Sequence, residues 1–222
     1  MYGLSDRLKP LSAAEEQVLL ALWDCPAPAT RRDISEKLTA TGWADYLVTG
    51  NFSNLAAKEA AKFGEVKIVA SSKDRNFTYI PDVNAIDYDK DASYIHICQN
   101  NTIFGTQYVE VPQVEGVPLV ADMSSMILSK PVDVNKYGCI YFGVQKNVAP
   151  AGMAIAIVRD DLLGHAADTV PTMMNYTTLL AKDSMYNTPP FRLTKPASAA
   201  SAQNFLSMSG SGLVKVTLIV LR

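Results

Sequence analysis

A carboxylate, an amine and a hydroxyl each stand just past the end of an apolar run. The run 117–121 is followed at once by Asp122, the run 139–142 by Gln145 and Lys146, and the run 94–98 by Asn100, Asn101 and Thr102. If the runs are neighbouring parallel strands, their carboxyl ends form one rim, and open α/β sheets bind ligands at such a rim. A lysine amine condenses with an aldehyde, and a carboxylate holds a pyridine nitrogen protonated so that the ring accepts electrons. Pyridoxal phosphate chemistry needs both, with an aromatic cover for the ring and small polar groups for its hydroxyl and phosphate. Taken singly, an Asp after a strand is ordinarily a turn residue and a lone Lys is ordinarily surface charge, so position alone is only a prior.

The elements that must hold these residues alternate. Residues 46–49, 66–70, 94–98, 117–121, 139–142 and 153–158 read as strands, and 53–63 reads as a helix closed by Gly64. A further helix is expected to start at Asp160 or Asp161. The continuous apolar character of 117–121 is that of a parallel strand covered on both faces, and the alternation indicates an α/β layer architecture. Residues 1–44 read as helical: Ser12 and Glu15 form a capping box, Val18, Leu19, Leu22 and Trp23 make a helical stripe, Pro26 and Pro28 interrupt it, and Thr30 opens a second helix ending near Gly42. Residues 196–212 are rich in Ser, Ala and Gly, like a linker, and 213–221 reads as a terminal strand or a short helix.

Composition excludes several classes. The 222 residues carry 20 basic and 22 acidic groups, net −2, with 48% hydrophobic residues, too apolar for a disordered chain and not the charge of a nucleic-acid wrapper. Residues 191–222 hold four basic groups and no acidic one. Cys25, Cys98 and Cys139 are isolated, which indicates neither a disulfide framework nor a metal site and fits a reducing cytoplasm. No basic-then-apolar leader opens the sequence, and the run 213–221, interrupted by Lys215, is too short to span a bilayer; a cytoplasmic chain with no membrane partner is expected. His96 inside an apolar strand reads as a satisfied core histidine, and His165 as exposed.

Longer stretches carry a specific resemblance. ADYLVTGNFS at 44–53, NFTYIPD at 76–82, NNTIFGT at 100–106, PLVADMSSMILSKPVDVNKYG at 118–138, QKNVAPAG at 145–152, IVRDDLLG at 157–164 and SMYNTPP at 184–190 resemble, in order and spacing, the central part of the phosphoserine aminotransferases, fold-type I pyridoxal phosphate transferases of serine biosynthesis. The resemblance implies the partial large domain of that fold over 44–190. It also implies a cytoplasmic homodimer converting 3-phosphohydroxypyruvate and glutamate to phosphoserine and 2-oxoglutarate. By the same resemblance Lys146 is the Schiff-base lysine that shuttles the substrate α proton, and Asp122 is the partner of the pyridinium nitrogen. Thr102 bonds the ring hydroxyl, Gln145 is a phosphate ligand, and Asn187 and Thr188 reach the cofactor phosphate of the neighbouring subunit. Phe52 stands where the family usually stacks a Trp, keeping an apolar face but losing the indole donor. The family's opening segment with its Gly-rich phosphate turn, and its C-terminal domain with substrate-carboxylate arginines, have no counterpart here. Weak or absent turnover by this chain alone is therefore the expectation.

Residues 1–43 carry a second resemblance. LSAAEEQVLLALWDCPAPATRRDISEKLTATGWA resembles the start of the penicillinase-repressor family of winged-helix regulators. That resemblance implies a helix-turn-helix-like segment, a recognition helix near 44–58, a wing hairpin at 66–81, and DNA as the alternative partner through residues 1–82. Arg31, Arg32 and Lys37 would face phosphates, although a solvated helix face explains them more simply. The expected order is thus 1–43 helix-turn-helix-like, 44–190 aminotransferase fragment, and 191–222 Ser/Ala/Gly-rich tail with a terminal apolar segment.

Overall fold

Strands form where β-branched and apolar residues run without interruption. In a computed structural model, which describes residues 43–166, 170–182, 184, 186 and 216–221, the elements in chain order are β1 (Trp43–Val48), α1 (Asn51–Ala60), β2 (Glu65–Ser71), β3 (Ile95–Cys98), β4 (Asn100–Asn101), β5 (Thr106–Gln107), β6 (Leu119–Asp122), β7 (Cys139–Gly143), β8 (Ala154–Arg159), α2 (Tyr176–Leu180) and β9 (Val216–Leu221). Seven strands form one sheet in the order β2-β1-β3-β6-β7-β8-β9, and β4 and β5 form a separate small hairpin. The first five of the seven are parallel; β8 and β9 run antiparallel to their neighbours. The chain steps from β1 through α1 to β2, then returns past β1 to β3, so the strand order reverses between β1 and β3. A crevice opens at the carboxyl ends there.

The alternation of side chains divides the sheet into two faces. Leu47, Ile95, Ile97, Leu119, Ala121, Ile140, Phe142 and Ile157 point to the larger core, closed by Met123, Met126, Ile127, Val134, Tyr137 and Tyr108 from the connections. On the other face α1 lays Ala57 against Ala44, Tyr46 and Val48, and α2 lays Leu179 against Ala156 and Val158. Between them, over β3, β6 and β7, lie His96, Cys98, Val120, Asp122, Cys139 and Tyr141, fixed on this face by the register His96↔Val120↔Cys139 and Cys98↔Asp122↔Tyr141.

Several expectations change. Among the described residues only β1–α1–β2 is a strand–helix–strand unit; the loop from β2 to β3 holds the 3-10 turn Val83–Ala85, the β4–β5 hairpin lies between β3 and β6, and the loop from β6 to β7 holds the 3-10 turn Val134–Lys136, where Asp82 and Asp133 accept the N–H two residues on rather than opening longer helices. Val117 only bridges to Val114, and β6 starts at Leu119, after Pro118, which has no N–H for a ladder. The helix expected from Asp160 is the three-residue turn Asp160–Leu162: Arg159 draws the Asp161 carboxylate to itself, Nε to Oδ1 at 2.6 Å, and Gly164, at φ 84, turns the chain away. The repressor reading of 44–82 does not hold. Residues 43–48 are a strand with five of six residues buried, not a recognition helix. β2 lies parallel to β1 and leads into a 3-10 turn, Lys73–Arg75, with Asn76 and Phe77 at positive φ, so no wing hairpin forms. The helices expected within 1–42, with Arg31, Arg32 and Lys37, and the linker at 196–212 lie outside the described residues. The terminal run is a strand from Val216 to Leu221, paired with β8.

Candidate active site

Four parallel strands, β1, β3, β6 and β7, end at one rim, and each hands a side chain to it. After β1 the chain turns through Thr49 and Gly50 into α1. The Ser53 hydroxyl takes the N–H groups of Thr49 and Gly50, both at 3.0 Å, closing the helix start and setting Phe52 on the outer side, 43% exposed. A Cβ at Gly50 would stand 2.5 Å from Asn101 Oδ1, so only glycine lets this turn approach the β3 exit so closely. Asn101 Nδ2 donates to Thr49 Oγ1 at 3.1 Å and to Thr106 Oγ1 at 3.2 Å, and the Tyr108 hydroxyl donates to Thr49 Oγ1 at 3.3 Å. This buried lattice fixes the β4–β5 hairpin, whose exposed loop carries Thr102.

Asp122 ends β6. Its Oδ1 accepts the Ser124 N–H at 2.8 Å, an Asx turn that aims the carboxylate along the rim. The Ser124 hydroxyl accepts the Gly143 N–H at 3.1 Å, tying this turn to β7. Asn100 Nδ2 donates to Ser125 Oγ at 2.8 Å, tying it to β3. Past β7 the loop folds back through the bonds of Val148 and Ala149 N–H to Val144 O and of Asn147 Nδ2 to Ile127 O at 2.8 Å. Gln145 and Lys146 are exposed on this loop, with the Gln145 amide lying over Gly143. Lys146 Nζ stands 5.2 Å from the centroid of the Phe52 ring. Since β3 and β6 separate β7 from β1, that contact arches over the strand ends that carry Asp122 and the Thr102 hairpin. Among the described residues Lys146 enters no ion pair.

The structure therefore brings Lys146, Phe52, Asp122, Thr102 and Gln145 to one rim. Asn187 and Thr188 lie outside the described residues. Both charges are felt at Cys98: burial pushes its thiol up to about 12, the Asp122 carboxylate adds to the rise, and Lys146 opposes it. The Tyr141 phenol is raised by burial first and by Asp122 next. Sequence reasoning placed Asn101 at the strand end but not its bonds to Thr49 and Thr106, and it missed Ser124, Thr49 and Tyr141, whose roles depend on pairing across strands. It took His96 for a satisfied core residue; the ring is buried, 3% exposed, yet among the described residues only Nε2 is bonded, to the Tyr141 hydroxyl at 2.9 Å, and Nδ1 has no partner. His165 is exposed, as its position suggested, against the Asp161 carbonyl at 3.0 Å. Among the described residues no cluster of three or more His, Cys, Asp or Glu side chains is placed to hold a metal ion, and no helix is long and apolar enough to cross a membrane.

Known proteins share this arrangement. The family model "Aminotransferase class-V" matches residues 32–201, reaching back into the stretch that resembles the repressors. The phosphoserine aminotransferase of Bacillus cereus is 53% identical over 147 residues, which are 66% of this chain and 41% of that enzyme. The solved phosphoserine aminotransferase from Bacillus circulans subsp. alkalophilus is 40% identical with a TM-score of 0.66, over 69% of this chain and 42% of that one. The pyridoxal phosphate-bound phosphoserine aminotransferase from Trichomonas vaginalis is 30% identical with a TM-score of 0.60, over 80% of this chain and 53% of that one. The chain thus spans about two-fifths of the length of the curated relatives it matches. With a parallel sheet that reverses order at a rim of carboxylate, lysine and aromatic ring, and a family match across most of its length, this chain belongs to the class-V aminotransferases.

Proposed function

We propose that the chain is the cofactor-holding part of a phosphoserine aminotransferase, acting with pyridoxal phosphate on phosphoserine, glutamate and their keto acids in serine biosynthesis. One observation carries the reading: among the described residues the Lys146 amine enters no ion pair and stands over the Phe52 ring, on the rim where Asp122 engages one oxygen, with the Ser124 N–H. The donor set suits the group. Phe52 offers an apolar ring face, Asp122 an oxygen for a protonated ring nitrogen, Lys146 an anchoring amine, Thr102 a hydroxyl for the ring oxygen and Gln145 an amide for the phosphate.

Pyridoxal phosphate supplies an electron sink that stabilises a carbanion at the substrate α carbon. The chain's own residues do the rest. Lys146 Nζ would hold the cofactor and would take and return the substrate α proton. The second oxygen of Asp122 would keep the ring nitrogen protonated. Phe52 excludes water from one ring face. Asn187 and Thr188 would serve the neighbouring subunit's phosphate in a homodimer. The free thiols of Cys98 and Cys139 suit a reducing cytoplasm.

The test is an absorbance titration of the purified chain with pyridoxal phosphate beside Lys146→Ala. A near-visible band present in the wild type and lost in the variant is expected. No band, or one that persists without Lys146, overturns the proposal.

A further inference from the structure

Behind Asp122 the sheet face carries a polar chain that the roles above leave unused. Tyr141 is the register partner of Asp122 on β7, and Cys98 is its partner on β3, so all three side chains stand in one row on one face. The Tyr141 hydroxyl does not stay in that row. It reaches back across β6 to His96 Nε2 at 2.9 Å, passing over the strand between Val120 and Asp122. Two interstrand spacings, roughly 10 Å, are thereby spanned by one tyrosine and one histidine. The His96 ring stacks on Tyr46 at 4.6 Å and 19°, and the Tyr46 hydroxyl meets that of Tyr94 at 2.9 Å. Tyr141, beside Asp122 in the register, is thus tied to His96 two residues further from the rim, and through His96 to Tyr46 on β1.

The hydrogen inventory gives this chain a direction. Burial keeps the imidazole neutral, with its pKa pushed down to about 4, so only one ring nitrogen carries a proton. Nδ1 is buried with no partner, and an orphaned buried N–H is far rarer than an orphaned acceptor. The proton therefore belongs on Nε2, which donates to the Tyr141 oxygen. Burial and the nearby carboxylate both keep the phenol protonated. Its own hydrogen is then left to point away from His96.

We infer that Tyr141, oriented by His96, is a positioning residue for Asp122, its hydroxyl dipole holding the carboxylate toward the ring nitrogen of the cofactor. The inference rests on the proposed function and adds to it the groups that aim the ring-nitrogen partner. A purely packing role is the rival. Tyr141→Phe keeps the ring and removes only the hydroxyl, and Tyr141→Phe with His96→Leu removes both polar partners, so that no buried donor is stranded.

The experiment titrates the chain with pyridoxal phosphate and follows the near-visible band, beside a thermal melt of each variant. Tyr141→Phe is expected to raise the cofactor dissociation constant about tenfold and to shift the band. The double variant is expected to recover the melting temperature without recovering affinity. In an Asp122→Asn background Tyr141→Phe should change affinity little, because the group it aims is already altered. A wild-type band depending on Lys146, with Tyr141→Phe unchanged in affinity and spectrum, overturns this inference alone. So does affinity that returns with stability in the double variant. A wild type with no Lys146-dependent band overturns the proposed function and this inference with it.

Discussion

Burial sets the charge state of His96. In the unfolded chain its imidazole charges below about pH 6.5, whereas in the fold the pKa is pushed down to about 4. Between those values the unfolded state binds more protons. The contribution of the neutral ring is therefore complete above pH 6.5 and is lost as pH falls toward 4, on the order of 3 kcal/mol in all. Melting temperatures across that window should fall more steeply for the wild type than for His96→Gln; parallel curves would count against this account. Phe52 makes a second claim at the same scale. In the proposed function its exposed ring under Lys146 would be the apolar floor for the cofactor, and Phe52→Ala is then expected to weaken pyridoxal phosphate binding about tenfold. Leu55→Ala, one turn along the same helix and also exposed, should bind as the wild type does. Equal losses in both variants would assign the effect to helix stability instead.

Two turns act as one element at the rim. The β1–α1 turn and the β4–β5 hairpin are joined through Thr49, which is fully buried and bonded by both Asn101 and Tyr108. Thr49→Val keeps the shape but removes the acceptor of the Tyr108 hydroxyl and of one Asn101 amide N–H. A loss of about 1–3 kcal/mol follows from an unsatisfied buried group, measured by urea unfolding. Gly50→Ala brings a Cβ to 2.5 Å from Asn101 Oδ1, and at φ −177 the backbone itself accepts any residue, so the harm comes from the displaced amide. Both substitutions should also weaken cofactor binding, since Phe52 and Thr102 hang on these two turns; full affinity in destabilised variants would separate the lattice from the site. The strand–helix alternation expected along the chain gave way to loops between β2 and β3 and between β6 and β7 for a local reason. Asp82 and Asp133 satisfy the next turn's N–H groups themselves, and proline at 118 and 131 interrupts the backbone ladder.

At the scale of the whole molecule, β9 pairs along the full length of β8 and covers an edge that would otherwise offer unpaired N–H and C=O groups. A chain ending at residue 215 is expected to associate as concentration rises, read by light scattering; a monodisperse truncated chain would show that β8 needs no cover. The sequence alone determined the strands whose apolar runs admit no other burial, the helix after Gly50, and the words around Asp122 and Lys146 that carry the family. Those are local properties: period, capping and residue order within a few turns of chain. Tertiary structure alone decided which strands are neighbours, and with that everything measured across the sheet. Residues 44–82 could be read as aminotransferase sheet or, alternatively, as repressor helix and wing until β1 lay parallel to both β2 and β3. Residues 213–221 read as helix or strand until β8 offered an edge. Tyr141 and His96 lie far apart in sequence and carry no motif that links them, and they meet only because β3, β6 and β7 stand in that order. Hydrogen bonds between strands depend on register, and register is set by burying one whole face at once, a condition no single stretch of sequence contains.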